Sequence, residues 1–257
     1  MANRFLRRAA RWVARRATRY VTRDAFELQR PGRNSRRAEV TPPGVYDIVL
    51  DGIEMSFNRI PMYAGLARML KGVDLGDVVE FGGSSPSLSR LLEYRSWNIA
   101  PNYPEVDIAN LERYADASCD TVVLDNILEH VSDPRRGLAE CARVLQPGGR
   151  LIAAVPFLVP VHAAPDDYSR WTPEGFARVL RNHFDRVVVE AWGNREALRL
   201  LIDSGAPEGW PTFEMARGLL GDARAWLLLH LNEQEWPITI WAVATTAATP
   251  APAPGHP

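Results

Sequence analysis

From Asp77 onward, short apolar runs and amphipathic stretches take turns along the chain. Runs over 78–81, 96–100, 105–108, 121–125, 150–156, 186–192 and 237–245 are bounded by turn residues and too short for helices, so each predicts a strand. Between them, apolar positions three and four apart predict helices over 86–94, 134–145 and 173–182 and a helical segment near 195–231, with one more over 62–70 ahead of the first strand. Two helix starts are well marked. Asp133-Pro134 and Thr172-Pro173 each set an N-cap residue before a proline at the first helical position. Gln146-Pro147-Gly148-Gly149 predicts a helix stop. Strand and helix in alternation predict an α/β domain with a mostly parallel sheet.

Upstream, residues 3–23 set Leu6, Ala9, Ala10, Val13, Ala17, Tyr20 and Val21 on one helical stripe with Arg4, Arg8, Arg11, Arg15 and Arg19 largely opposite. Such a basic amphipathic helix can lie on an anionic membrane or pack on the domain or a partner subunit with its arginines solvated. Residues 29–44 read as a polar linker and 246–257 as a disordered Ala/Pro tail, leaving 45–245 as one domain. Residues 194–236 stand between the last two strands as a helical insertion, serving as a lid over a substrate, a homodimer surface or a helix packed on the domain.

Charge sharpens this division. The net charge is −1, yet the first 40 residues hold 12 arginines against three acids, so residues 41–257 carry −10. No basic stripe interleaved with aromatics follows the first helix, which argues against nucleic acid as a partner. Cys119 and Cys141 lie far apart without C-x-x-C spacing, so neither a disulfide framework nor a zinc site is indicated and no metal is expected. No apolar run reaches the roughly 18 residues of a membrane span, and the start lacks a secretory apolar core. The expected location is cytoplasmic, with the inner face of the membrane open to the first helix.

Candidate chemistry begins at DVVEFGGSSPSL, Asp77 to Leu88. A buried strand ends in an acid and a loop of small residues before a proline that starts a helix, an order that suits a cradle for a small anionic ligand. It matches neither the dinucleotide nor the phosphate-binding glycine pattern. Farther on, DASCDTVVLDNILEHVSDPRRGLAECARVLQPGGRLIAAVPF, Asp116 to Phe157, carries a D-x-S-x-D strand entry, an L-E-H-V segment, a D-P helix start, R-V-L-x-P-G-G and a strand ending in Pro. The run resembles class I S-adenosylmethionine-dependent methyltransferases. Pro160 to Gly175, PVHAAPDDYSRWTPEG, is similar to a segment of one subgroup, of small-molecule and sugar methyltransferase type.

The resemblance implies a Rossmann-like, seven-stranded sheet with helices on both faces, the last strand antiparallel, and S-adenosylmethionine across the carboxyl ends of the first four strands. It assigns Glu80, Phe81, Gly82, Gly83 and Ser84 to the cofactor's amino acid part, Asn98 and Ile99 to the ribose end, Asp107 to adenine, and Asp125 and Asn126 to the methionine flank. Ser84 and Pro86 stand where the family usually has glycines, and Asn98 where it has an acid. For the acceptor, His130 and His162 are candidate bases, with Asp166 and Asp167 just after His162 as orienters. Glu129, Tyr168, Arg170 and Trp171 are candidate acceptor contacts, Arg170 either meeting an anionic acceptor or pairing with Asp166. The loop 157–172 is longer than connections usually are, as functional loops tend to be. His183 and His230 read as structural. The expected activity is methyl transfer to a small-molecule or sugar hydroxyl with a histidine base; the alternative is a methyltransferase-like module that binds without turnover.

Overall fold

The computed structural model describes residues 39–40, 56–82, 88–89, 92, 96–162, 166–203 and 211–248. The basic helix over 3–23, the linker over 29–44 but for residues 39 and 40, most of the helix over 86–94 and the tail beyond 248 lie outside the described residues, as do Gly83 and Ser84. The chain forms two compact units, Met1–Ala64 with Trp192–Pro237, and Gly65–Ala191 with Ile238–Pro257.

In the second unit, β2 (Val78–Phe81), β3 (Trp97–Ile99), β4 (Cys119–Asp125), β5 (Leu145–Pro156), β6 (Arg186–Trp192) and β8 (Thr239–Thr245) build one sheet in the order β3-β2-β4-β5-β8-β6. The β2–β3, β2–β4 and β4–β5 pairs are parallel, whereas β8 runs antiparallel to β5, with Ala153 opposite Ala242. Six strands with helices between them make a mixed, Rossmann-like sheet. The seventh expected strand, near 105–108, is a turn. The Asp107 carboxylate accepts from the Ala109 N–H at 2.9 Å and the Asp107 carbonyl from the Asn110 N–H, so local bonds take the backbone groups a ladder would need.

Central β4 is buried on both faces, as its unbroken Val122-Val123-Leu124 run requires between two parallel neighbours. Two helices, α2 (Pro134–Val144) and α3 (Pro173–Leu180), cover part of the sheet with Leu138, Cys141, Val144, Phe176 and Leu180, all essentially inaccessible. Their starts follow the sequence signals: Asp133 accepts from the Arg136 N–H at 3.1 Å and Thr172 from the Gly175 N–H at 3.1 Å. The stop after Val144 takes an unexpected form. Leu145 pairs with Cys119 and Arg150 with Thr121, so Gln146 to Gly149 bulge out of a strand that starts earlier than the pattern suggests.

The far end of α2 is tied to the loop ahead of β4. Arg143 donates to the Tyr114 and Leu111 carbonyls and to Glu140 and Asp116, at 2.6–3.0 Å. The Arg143 guanidinium holds the Glu140 carboxyl below the usual glutamate range; burial opposes this and the Leu111 N–H adds to it. Arg143→Ala is therefore expected to destabilise the fold by about 1–3 kcal/mol at neutral pH. A depressed carboxylate stabilises above its unfolded pKa and is lost as pH falls through the folded one, so the penalty should shrink below about pH 4.3. Urea melts at pH 7 and pH 4 measure both effects.

The first unit contains α4 (Arg195–Asp203), α5 (Phe213–Leu220), α6 (Asp222–His230), the short antiparallel pair β1 (Glu39–Val40) and β7 (Leu231–Asn232), and the first part of α1 (Arg59–Met69). Phe57, Trp192, Phe213 and Trp226 stack in series with centroids 4.9–6.2 Å apart. Buried Asn194 ties the unit together, donating to the Leu228 and Leu231 carbonyls and accepting from the Ala197 N–H. Among the described residues the segment read as helical over 195–231 holds these three helices; Gly221, with φ +80°, separates the last two. His230 Nδ1 donates to the Trp226 carbonyl at 2.8 Å, in keeping with a structural role.

Candidate active site

At the carboxyl ends of the adjacent parallel strands β2 and β4 the backbone turns out sharply. Gly82 has φ +70° and Asn126 φ +54°. A Cβ on Gly82 would stand 2.4 Å from Ile127 Cδ1, so the loop passes where a side chain has no room. Asn126 donates to the Asp125 carboxylate at 2.7 Å, and the Asn126 N–H to the Ala154 carbonyl at 3.0 Å. Gly82→Ala is expected to cost about 1–2 kcal/mol for the left-handed backbone alone, visible as a lower urea midpoint.

Glu80 is buried and its Oε2 accepts the Trp97 indole N–H at 2.7 Å, tying the end of β2 to the start of β3. Phe81 points into the core, its ring edge-on to Tyr114 at 5.1 Å, which leaves its backbone as the part that can face a ligand. Asn98 and Ile99 are exposed and line a cavity of about 420 Å³ with Val79, Arg113, Tyr114 and Ser118 among its walls. Arg113 and Tyr114 were not singled out by the sequence reading, and Ser118 only as the serine of the D-x-S-x-D entry. The first two lie on the loop that leads into that entry, a stretch with no glycine pattern of its own. Asp107 closes the turn described above.

The acceptor candidates converge on a different place. Leu128–His130 form one 3₁₀ turn after β4. Two contacts bring the long loop back onto it: the Tyr168 N–H donates to the Glu129 carbonyl at 2.7 Å, and His130 Nδ1 lies 2.6 Å from the Asp166 carbonyl. A carbonyl can only accept, so Nδ1 carries the proton, and in the neutral ring Nε2 keeps its lone pair. That Nε2 sits 3.7 Å from Glu129 Oε1. The His162 ring is edge-on to His130 with centroids 5.0 Å apart, its Nδ1 3.3 Å from the Pro160 carbonyl and 3.4 Å from Asp167 Oδ2.

Two acids here differ in state. Asp167 accepts from the His162 N–H and from both terminal nitrogens of Arg170. Burial pulls its carboxyl up, but Arg170 and the His162 N–H outweigh it and hold the carboxyl below the usual aspartate range. Arg170 thus pairs with Asp167 rather than Asp166. Glu129 is fully buried, neither of its oxygens meets a hydrogen-bond partner at bonding geometry among the described residues, and burial pushes its carboxyl up to about 8 against the milder pulls of its own backbone N–H and of Arg170. The exposed Tyr168 hydroxyl donates to Asp166 at 3.0 Å, and Trp171 leans on Phe176 at 5.9 Å. None of these groups lines the 420 Å³ cavity.

Known proteins supply a further finding. Residues 67–153 match the model of a methyltransferase domain. The match spans both strand ends and the Glu129-His130 turn, and it supports S-adenosylmethionine as the cofactor of this domain. The positive-φ cradle at Gly82 and Asn126 fits the amino acid part of that cofactor. Among curated proteins, an uncharacterized 37.1 kDa protein in transposon Tn4556 of Streptomyces fradiae is 32% identical over 115 residues, 43% of this chain and 30% of that one. A Mycolicibacterium smegmatis protein described as a probable S-adenosylmethionine-dependent methyltransferase is 40% identical over 63 residues, 23% of this chain and 24% of its own length. The chain therefore spans less than a third of either relative. Of solved structures, a Haloferax volcanii complex with the Trm112 methyltransferase activator aligns at 18% identity and TM-score 0.46, covering 74% of this chain and 90% of the other. An S-adenosylmethionine-dependent methyltransferase from Archaeoglobus fulgidus aligns at 15% and 0.44, covering 72% and 93%. No helix of the described residues is long and apolar enough to cross a membrane.

Proposed function

We propose that the protein methylates a hydroxyl of a small-molecule or sugar acceptor, using S-adenosylmethionine and the imidazole of His130 as base. The supporting observation is the His130 ring, whose Nδ1 is fixed on the Asp166 carbonyl at 2.6 Å while Nε2, 3.7 Å from Glu129 Oε1, makes no shorter bond among the described residues. S-adenosylmethionine, when bound, supplies a methyl group on a positively charged sulfur. Gly82, Asp125 and Asn126 would hold its amino acid part, and Asn98 and Ile99 its nucleoside end. The acceptor oxygen gives its proton to His130 Nε2 as it takes the methyl group. Most of the rate comes from holding oxygen and methyl in line, an effect that can be worth about 7–11 kcal/mol. Tyr168, exposed above the cluster, is the group that meets the acceptor.

Calorimetric titration with S-adenosylmethionine, followed by a screen of small hydroxylated and sugar acceptors for labelled methyl transfer, tests this. Binding with transfer to oxygen is the expected result. No binding at millimolar cofactor would sink the enzyme reading, and binding without transfer to any acceptor would favour a non-catalytic module.

A further inference from the structure

We propose that Glu129, His130 and His162 bind a divalent transition-metal cation. One donor atom from each lies within 4.8 Å of the other two. Metal–nitrogen and metal–oxygen bonds of about 2.0–2.2 Å place adjacent ligands of one ion somewhat closer than this, within reach of small side-chain rotations.

Three features distinguish the cluster from a chance meeting of polar groups. Glu129 is a fully buried acid whose two oxygens have no hydrogen-bond partner among the described residues, and a buried carboxylate is otherwise paired or bound to a metal. Its neighbour Asp167 is already paired with Arg170, so Glu129 is the carboxyl of the cluster left to give up its proton to an incoming cation. Both histidines present Nδ1 to a backbone carbonyl, Asp166 for His130 and Pro160 for His162, with Asp167 as a further partner of the latter. That is how ligating histidines are usually oriented, one ring nitrogen on a carbonyl or carboxylate and the other directed at the ion. Two imidazoles and a carboxylate suit zinc, iron(II), cobalt(II) or manganese(II) and leave coordination positions open.

The inference rests on the acceptor reading for the site and changes how the proton is lost. With an ion in place, the imidazole lone pairs hold it. An acceptor hydroxyl that joins an open position is acidified by the cation and releases its proton to water. Its oxygen then forms the bond to the methyl carbon as the sulfur–carbon bond breaks, leaving neutral S-adenosylhomocysteine.

The test is a binding measurement without cofactor or acceptor. The untagged full chain, stripped with chelator, is titrated with cobalt(II) and read by visible absorption, and with zinc(II) by calorimetry. One ion per chain is expected, with a cobalt ligand-field band that zinc abolishes. Glu129→Gln and His162→Ala should each weaken zinc binding at least about tenfold, since losing even an outer partner of a ligand costs about 10–100-fold. His162 is only half-buried, so its variant keeps the fold, checked by circular dichroism, should Glu129→Gln fail to. No ion bound, or zinc binding that the folded variants retain in full, overturns the site. Either outcome leaves methyl transfer with a free imidazole base intact, because that reading is judged by transfer assays alone.

Discussion

His130→Ala is expected to lower the single-turnover rate of methyl transfer about 10²–10⁴-fold while leaving S-adenosylmethionine affinity unchanged. The ring is pinned by the Asp166 carbonyl, its remaining lone pair stands beside Glu129, and it does not line the 420 Å³ cavity, so its loss falls on the acceptor side. Rapid-quench measurements with labelled cofactor give the rate and calorimetry the affinity. A free imidazole base and an imidazole bound to a cation predict the same loss but different chemistry: chelator treatment slows the native protein only in the second case. A variant that transfers at the native rate would remove His130 from the mechanism.

Glu129→Met should do the opposite to stability. The side chain is fully enclosed, and an acid there has no hydrogen bond to replace the water it gave up. A thioether of similar volume removes that cost, and the chelated protein should gain about 1–3 kcal/mol. The gain should depend on pH. The folded carboxyl keeps its proton up to about 8, because burial disfavours the charged form, whereas the unfolded chain releases it near pH 4.3. Between those values the folded state binds the extra proton, so the native protein loses stability as pH rises, and the advantage of methionine grows from pH 5 to pH 8. Above about 8 it levels off. Urea midpoints at the two pH values measure this; a destabilised variant, or a gain that does not change with pH, would contradict the picture of Glu129 as an acid held against its own solvation.

Much of the fold was legible because its signals are local. Asp133-Pro134 and Thr172-Pro173 start helices by bonds that span three residues, and the Val122 to Leu124 run has the composition of a strand with neighbours on both sides. The turn at Asp107 was misread as a strand because Val106 and Ile108 alternate with polar residues, while the decisive side-chain bond to Ala109 leaves no periodic trace. The candidate site was legible as a set of residue types, not as an arrangement. Arg170 chose Asp167 over Asp166, and the isolation of Glu129 arises from the fold around it, which no spacing reports. The meeting of the two histidines was hidden for the same reason: His130 and His162 are 32 positions apart, and only the return of the long loop sets their rings face to edge.

That return is made through main-chain atoms on the loop side, the Tyr168 N–H and the Asp166 carbonyl, which every residue except proline at 168 would supply equally. The loop can therefore change its exposed side chains, Tyr168 and Asp166 among them, without releasing the histidine it steadies. Acceptor choice and proton removal become separable traits of one short segment, and a library varied at those two positions would explore new acceptors on an unaltered catalytic base.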